Sequence, residues 1–307
     1  MPQYIIRRLL QMIPITFGIL TLVFSLIHMI PGDPAVQIAG ENARPEDVQE
    51  VRRALGLDKP LWTQYVTYLG RVAHGDLGRS FQTNEAVTVQ IRERYPATIE
   101  LAFGAMFVAL LVAFPLGIIS AIYRNSWIDN VARFFALIGV SMPSFWFGPL
   151  LIIAFAINVH WFPVSGRNEG LRSLVLPSVT MGLALAAILT RMIRVSLAEE
   201  LTQLYITTAV AKGVTRGMAI FRHALKNALI PVITVLALQF GSLLTGAIIT
   251  EQIFSWPGLG RLLLQSISTR DYPQVQASIL VIALTYILVN FISDLLYGMV
   301  DPRVKLG

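Results

Sequence analysis

Serine, histidine and carboxylate side chains are the groups with which this chain could do covalent or proton-transfer chemistry, and their spacing excludes most of it. Gly139-Val140-Ser141-Met142 brushes against the serine motif of intramembrane proteases, but Pro143 comes next and no apolar segment offers a buried histidine as base. His28, His74, His160 and His223 fall on different segments, so no i,i+4 pair can hold a metal, and there is no cysteine. The sequence has no G-x-x-x-x-G-K-[ST] phosphate loop, no H-E-x-x-H and no G-x-S-x-G. The expectation is a non-catalytic chain that binds no cofactor or metal and does not hydrolyse ATP by itself.

The residue patterns that remain suit movement and contact. Pro143, with Ser141, Ser144, Phe145 and Trp146 around it in an apolar stretch, removes a backbone donor and softens a helix, as expected of a gate or path. Gln239, Glu251, Pro257 and Gly258 are further candidates for that path. Between 196 and 227 lies a cytoplasmic-type stretch that reads helix, glycine turn, helix. Gly213 can take positive φ at the break, and Ala209 and Ala211 keep the preceding helix thin enough to enter a groove on a partner.

These residues must be positioned by membrane-spanning helices. Of 307 residues, 55% are hydrophobic and 14% charged, against about 25% charged in an ordinary soluble domain. Segments 9–30, 101–123, 134–159, 174–190, 228–250 and 275–293 are each apolar and contain no Lys, Arg, Asp or Glu. A span needs about 20 such residues, so six spans are expected, the shortest extending through Met192 and Ile193 with Arg191 and Arg194 snorkelling to the interface. Glu251 lies at a span end, where water is expected to be near. Six spans place both termini on one side. Arg7, Arg8, Arg124, Arg133, Arg191, Arg194, Lys212, Arg216, Arg222, Lys226, Arg303 and Lys305 share that side, against Arg167, Arg172, Arg261 and Arg270 in the two short opposite loops. The positive-inside rule therefore puts the termini in the cytoplasm, and the formal charge of +6 reflects this bias rather than nucleic-acid binding.

The segment 31–100 is then extracytoplasmic and helical. A helix starts at Pro45, carries Val48, Val51 and Leu55 on one face and stops at Gly56. A second amphipathic helix carries Leu61, Trp62, Tyr65, Val66, Tyr68, Leu69 and Val72, with packing as a cap preferred over ligand docking. In the fifth span, Ala237, Gly241 and Thr245, beside Ser242 and Gly246, form rows of small residues that permit close helix approach, and they suggest one subunit of a larger assembly. The organisation is thus 1–30 for the N-terminal end and first span, 31–100 for the outer segment, and 101–307 for the core of five spans.

Thr208-Ala209, Lys212-Gly213 and the run Arg222 to Pro231 resemble the coupling loop of the membrane permeases of ATP-binding-cassette (ABC) importers. The resemblance narrows to the peptide branch, covering dipeptide, oligopeptide, glutathione and nickel importers. It includes Pro31-Gly32-Asp33-Pro34, Leu55-Gly56-Leu57-Asp58, Gly75-Asp76-Leu77-Gly78 with Ser80, Ser141 to Phe145, and Glu251 with Trp256-Pro257-Gly258-Leu259-Gly260. Each piece is weak alone, whereas their order and spacing along nearly the whole chain are specific. The chain departs from the family pattern at Thr207 and Val210, where members often have basic residues.

The resemblance implies an all-α polytopic protein with the type I ABC importer permease fold, in the inner membrane of a bacterium. It implies a partner set of a second permease subunit, two cytoplasmic ATPases that bind ATP and Mg, and an extracytoplasmic solute-binding protein. Thr208, Ala209, Ala211, Lys212, Gly213, Val214 and Arg216 would form the ATPase-coupling loop. Leu259, Leu262, Leu263 and Ile267 would line a re-entrant helix near the outer gate. The rival readings are a stand-alone carrier or channel, which would need midplane ionisable groups or inverted repeats, and a membrane enzyme, which would need a nucleophile and base.

Overall fold

The computed structural model describes residues 2–29, 33–39, 43–54 and 56–300, so Pro31, Gly32, Leu55, Arg303 and Lys305 lie outside the described residues. The described residues are mostly helical. The chain runs through α1 (Pro2–Met29), α2 (Pro34–Ala39), α3 (Pro45–Ala54), α4 (Leu61–Ala73), α5 (Val87–Ile122), α6 (Trp127–Ser141) and α7 (Ser144–Leu151). It continues with α8 (Leu171–Glu200), α9 (Leu204–Ala211), α10 (Arg216–Met218), α11 (Leu225–Ile253), α12 (Leu259–Ser268) and α13 (Tyr272–Val300). Among the described residues the one β contact is an isolated bridge between Arg79 and Ala86.

Five of these stretches are long and apolar enough to cross a membrane, within α1, α5, α8, the run from α10 into α11, and α13. The sixth expected span is a bent pair. Met142 leaves the α region, Pro143 caps the next helix, and the two halves diverge by 103° before the chain continues in π-helical geometry over Ile152–Asn158. Pro143 therefore breaks the span instead of softening it. α5 has 36 residues and begins at Val87, well before the apolar segment, because Arg92, Glu93 and Arg94 form helix as readily as the apolar residues that follow.

Two compact units divide the chain. The first comprises residues 97–258 and 286–307. Ala97, Leu101, Ala105, Ala109 and Ala113, four apart on α5, are all fully buried in its core with Met181, Leu185, Leu189 and Ile193 of α8 and Leu243, Leu244 and Ala247 of α11. Lipid tails are as apolar as leucine, so close packing holds such helices together. A Cβ on Gly182 would lie 2.5 Å from the Ala105 carbonyl oxygen, so the α5–α8 contact admits only glycine there. The small-residue face on α11 is used within the chain: Gly241 packs against the Tyr286 ring, and the Ser293 hydroxyl donates to the Ala237 carbonyl at 2.9 Å. Ser242, in the adjacent row, is exposed.

The second unit comprises residues 2–96 and 259–285. α3 starts at Pro45, and Gly56 follows it at φ +68°, with Val48 and Val51 half-buried. α4 packs on α1 through aromatic rings: Phe24 lies 5.1 Å from Tyr65 and 5.8 Å from Tyr68, and Thr21 Oγ1 is 2.6 Å from the Tyr65 hydroxyl. Trp62 points away and is 72% exposed. Val87 and Ile91 of α5 form a cluster with Leu259 and Leu262 of α12 and Ala277 of α13. In α12, Leu259, Leu262 and Leu263 are buried, whereas Ile267 is exposed and does not continue their stripe.

Candidate coupling loop and gate

The loop after α8 is built around one buried anchor. α9 is only eight residues long, and Ile206 is its buried side chain, in a cluster with Ala121, Leu197, Ala198, Ala219, Ala224 and Ala228. Val214 packs on the edge of this cluster. Anchoring at one position turns the rest of the helix outward: Thr207, Thr208, Val210, Ala211 and Lys212 are exposed, and Ala209 is half-buried. Lys212 caps α9, then Gly213 takes φ +91° and the Val214 amide donates to the Ala209 carbonyl at 3.1 Å. Thr215 caps α10, its hydroxyl accepting from the Met218 amide, and Arg216 is exposed in the first turn.

A polar triad fixes the angle of α9. The Tyr205 hydroxyl donates to Glu200 at the end of α8 and accepts from Asn227 Nδ2 at 3.0 Å. Burial, with Glu200 beside it, raises the Tyr205 pKa above the ordinary phenol value, so the hydroxyl stays a donor at neutral pH. The spacing of the loop residues gave no sign of this triad.

The candidate path residues fall in two places. Ser141, Pro143, Phe145 and Trp146 lie at the break between α6 and α7 and are exposed. Gln239 is half-buried on α11. Glu251, Pro257 and Gly258 lie together at and beyond the end of α11, where Glu251 is fully buried. The expectation that water surrounds Glu251 is overturned, because the chain folds back over it. The Trp256 amide donates to the Glu251 carbonyl at 2.8 Å, and Thr98 Oγ1 donates to the carboxylate at 2.6 Å. A Cβ on Gly258 would lie 2.1 Å from Glu251 Oε1. The Trp256 indole is also fully buried and donates to the Ala97 carbonyl at 2.8 Å. Arg167, from the loop between α7 and α8, pairs with Glu100 and lies 5.9 Å from the Trp256 ring centroid. The two places approach through Gly148 of α7, whose space is bounded by Phe254, Ile253 and Thr180.

The motif Gly75-Asp76-Leu77-Gly78 with Ser80 builds a docked turn in the second unit. Gly75 and Gly78 have positive φ, and the Gly78 amide donates to Asp76 Oδ1 at 2.9 Å. The Ser80 hydroxyl donates to Asp271, and the Phe81 amide donates to Asp271 Oδ1 at 3.1 Å. Asp271 sits at the corner between α12 and α13, 191 residues from Ser80, and was not singled out by local sequence pattern.

Arg194 does not snorkel. It pairs with Asp129, a buried carboxylate that also accepts from the Ser120 hydroxyl and the Asn125 amide. Among the described residues no group of three or more His, Asp or Glu side chains could hold a metal ion.

Residues 113–306 match the family described as the inner membrane component of binding-protein-dependent transport systems, and residues 1–102 match the N-terminal membrane component of such systems. The chain is 43% identical to the dipeptide transport system permease protein DppB of Alkalihalophilus pseudofirmus, over 99% of this chain and 100% of that one. It is 42% identical to the glutathione transport system permease protein GsiC of Escherichia coli K12, over 99% of each. The fold resembles an inward-facing structure of the MetNI methionine ABC transporter, with a TM-score of 0.59 at 18% identity, covering 69% of this chain and 96% of that one. It also resembles the structure of an amino acid ABC transporter with histidines, with a TM-score of 0.53 at 16% identity, covering 69% of this chain and 94% of that one.

Proposed function

The chain belongs to the family of binding-protein-dependent transport system inner membrane components, and from that premise we propose that it is the permease subunit of an ATP-driven importer for dipeptides, glutathione or similar small solutes. Its full-length similarity to dipeptide and glutathione permeases supports this substrate range. The chain lines the translocation path with a second permease subunit. Two cytoplasmic ATPases hold ATP and Mg, an extracytoplasmic binding protein delivers the solute, and both termini of the chain are cytoplasmic.

The observation that carries the coupling role is α9, anchored by buried Ile206 and by Tyr205 bonded to Glu200 and Asn227, with its remaining residues turned mostly outward up to the Gly213 break. A short exposed helix on a single apolar anchor can enter a groove in an ATPase and pass its closure to Leu197 and Ala198 of α8. Coupling requires different contacts in the open and closed states, and a helix tied to α8 through Ile206 and Tyr205 would carry the ATPase movement into that span. Thr207 and Val210 face outward, so the contact they make with the ATPase is uncharged.

The test is reconstitution of the assembled transporter in proteoliposomes, with ATP hydrolysis followed as the loaded binding protein is added. Stimulation by a dipeptide-loaded or glutathione-loaded binding protein, with solute accumulating inside, supports the proposal. Solute flux through this chain without ATPase subunits would overturn it.

A further inference from the structure

The unit formed by residues 2–96 and 259–285 contains an open cavity of about 890 Å³. Its walls come from the ends of α1 and α3, from α4, from the turn around Gly78, and from the start of α13. Phe24, Leu57, Leu77, Ala277 and Leu280 supply apolar surface, and Ala277 and Leu280 are buried. The polar lining is strongly cationic. Arg53, Lys59, Arg71 and Arg79 line the cavity, and among the described lining residues Asp76 is the one carboxylate, already accepting from the Gly78 amide. Among the described residues none of these four cations has a carboxylate within ion-pair distance.

Tyr68 and Tyr272 also line the cavity, at 9% and 3% exposure, and their buried hydroxyls have no hydrogen-bond partner among the described residues. Burial pushes the Tyr68 phenol up to about 12, so it keeps its proton and remains a donor at neutral pH.

We infer that this cavity binds an anionic phospholipid of the outer leaflet, with the phosphate among Arg53, Lys59 and Arg71 and the acyl chains against Phe24, Ala277 and Leu280. The volume lies within the range of small-molecule sites, and a lipid phosphate is an anion that these guanidinium and ammonium groups hold by charge-assisted hydrogen bonds. α1, which forms one wall through Phe24 and His28, carries exposed Leu22, Leu26 and Met29 on its other face, where they would meet the bilayer. A zwitterionic peptide fits less well, because its ammonium would meet four cations and one carboxylate that is already engaged.

The test uses the full chain purified in detergent, with photoactivatable phosphatidylglycerol and phosphatidylcholine as probes and the labelled peptides mapped by mass spectrometry. Phosphatidylglycerol should label 60–81 and 272–280 in preference to phosphatidylcholine. Combining Arg53→Gln, Lys59→Gln and Arg71→Gln should cut that labelling at least about tenfold while leaving the melting temperature in phosphatidylcholine unchanged. Equal labelling by both lipids, or full labelling of the triple variant, would overturn the inference. Displacement of the label by a dipeptide or by inorganic phosphate at millimolar concentration would also overturn it, by showing that the site takes a water-borne anion. If the triple variant fails to fold, the lipid preference, the map and the competition on the unaltered chain still decide.

Discussion

Arg194 meets Asp129 as a fork, with Nε 2.6 Å from Oδ1 and Nη2 2.6 Å from Oδ2. Asp129 is fully buried in the first turn of α6, and the Arg194 side chain is 15% exposed near the end of α8. The Ser120 hydroxyl at the end of α5 and the Asn125 amide in the following turn donate to the same carboxylate. One carboxylate thus ties α5, α6 and α8 together, beside Leu197 and Ala198, which carry the coupling loop.

Asp129→Ala leaves the Arg194 guanidinium, 15% exposed, without its carboxylate and should destabilise the chain by about 3–5 kcal/mol, whereas without Arg194 the buried Asp129 keeps Arg133, whose Nε lies 3.6 Å from Oδ1. Arg194→Met should therefore do less damage, and the Asp129→Asn, Arg194→Met double variant should be milder than the sum of the two single losses. Thermal unfolding of the purified chain in detergent checks this. Fully additive losses would show that the two side chains do not act as a pair.

The positions of the spans and of the Gly213 break were legible in the sequence because each follows from a local rule: apolar length in one case, backbone freedom at one residue in the other. The Arg194–Asp129 pair was not, since a basic residue at a span end looks like positive-inside bias and its partner lies 65 residues earlier. Glu251 looked solvated for a related reason. Its burial depends on Trp256 and Gly258 folding back over it, a tertiary event with no periodic signature. Pro143 was visible as a weak point, but whether a proline bends a span or breaks it depends on what receives the second half. Here Gly148 seats α7 against Phe254.

Gly213 at φ +91° has open space around a notional Cβ, so the obstacle to substitution is backbone strain alone. Gly213→Ala should cost about 1–2 kcal/mol locally. Gly213→Val should be worse, because a β-branched residue at positive φ is a genuine outlier. With Ile206 still anchored, both variants should assemble, and the expected loss is in binding-protein-stimulated ATPase activity and uptake, greater for valine. Normal uptake by Gly213→Val in proteoliposomes would remove the break from the coupling mechanism.

Asp271 holds the outer turn through the Ser80 hydroxyl and the Phe81 amide, so Asp271→Ala should free that turn while leaving the rest of the chain folded. Each lost hydrogen bond to a charged acceptor is worth about 1.5–3 kcal/mol. Limited proteolysis should then cut between 74 and 86 faster in Asp271→Ala than in the unaltered chain. Ser80→Ala, which keeps the Phe81 contact, should fall between the two. Identical cleavage of all three chains would show that the turn is held by its apolar contacts.

Among the described glycines Gly258 leaves least room for a side chain, since a Cβ there would lie 2.1 Å from Glu251 Oε1 and 2.2 Å from its carboxyl carbon. The carboxylate cannot move aside without losing the 2.6 Å hydrogen bond from Thr98. Gly258→Ala should therefore expel the Glu251 side chain or shift the 254–258 turn, and lower the melting temperature of the purified chain. Thr98→Val removes the hydroxyl donor while keeping the volume, so it tests the hydrogen bond separately, with an expected loss of about 1.5–3 kcal/mol. Glu251→Gln combined with Gly258→Ala distinguishes steric from electrostatic causes. If the obstacle is steric, the amide, which has the same shape, will not restore stability. If it is the charge, the double variant will melt close to Glu251→Gln alone.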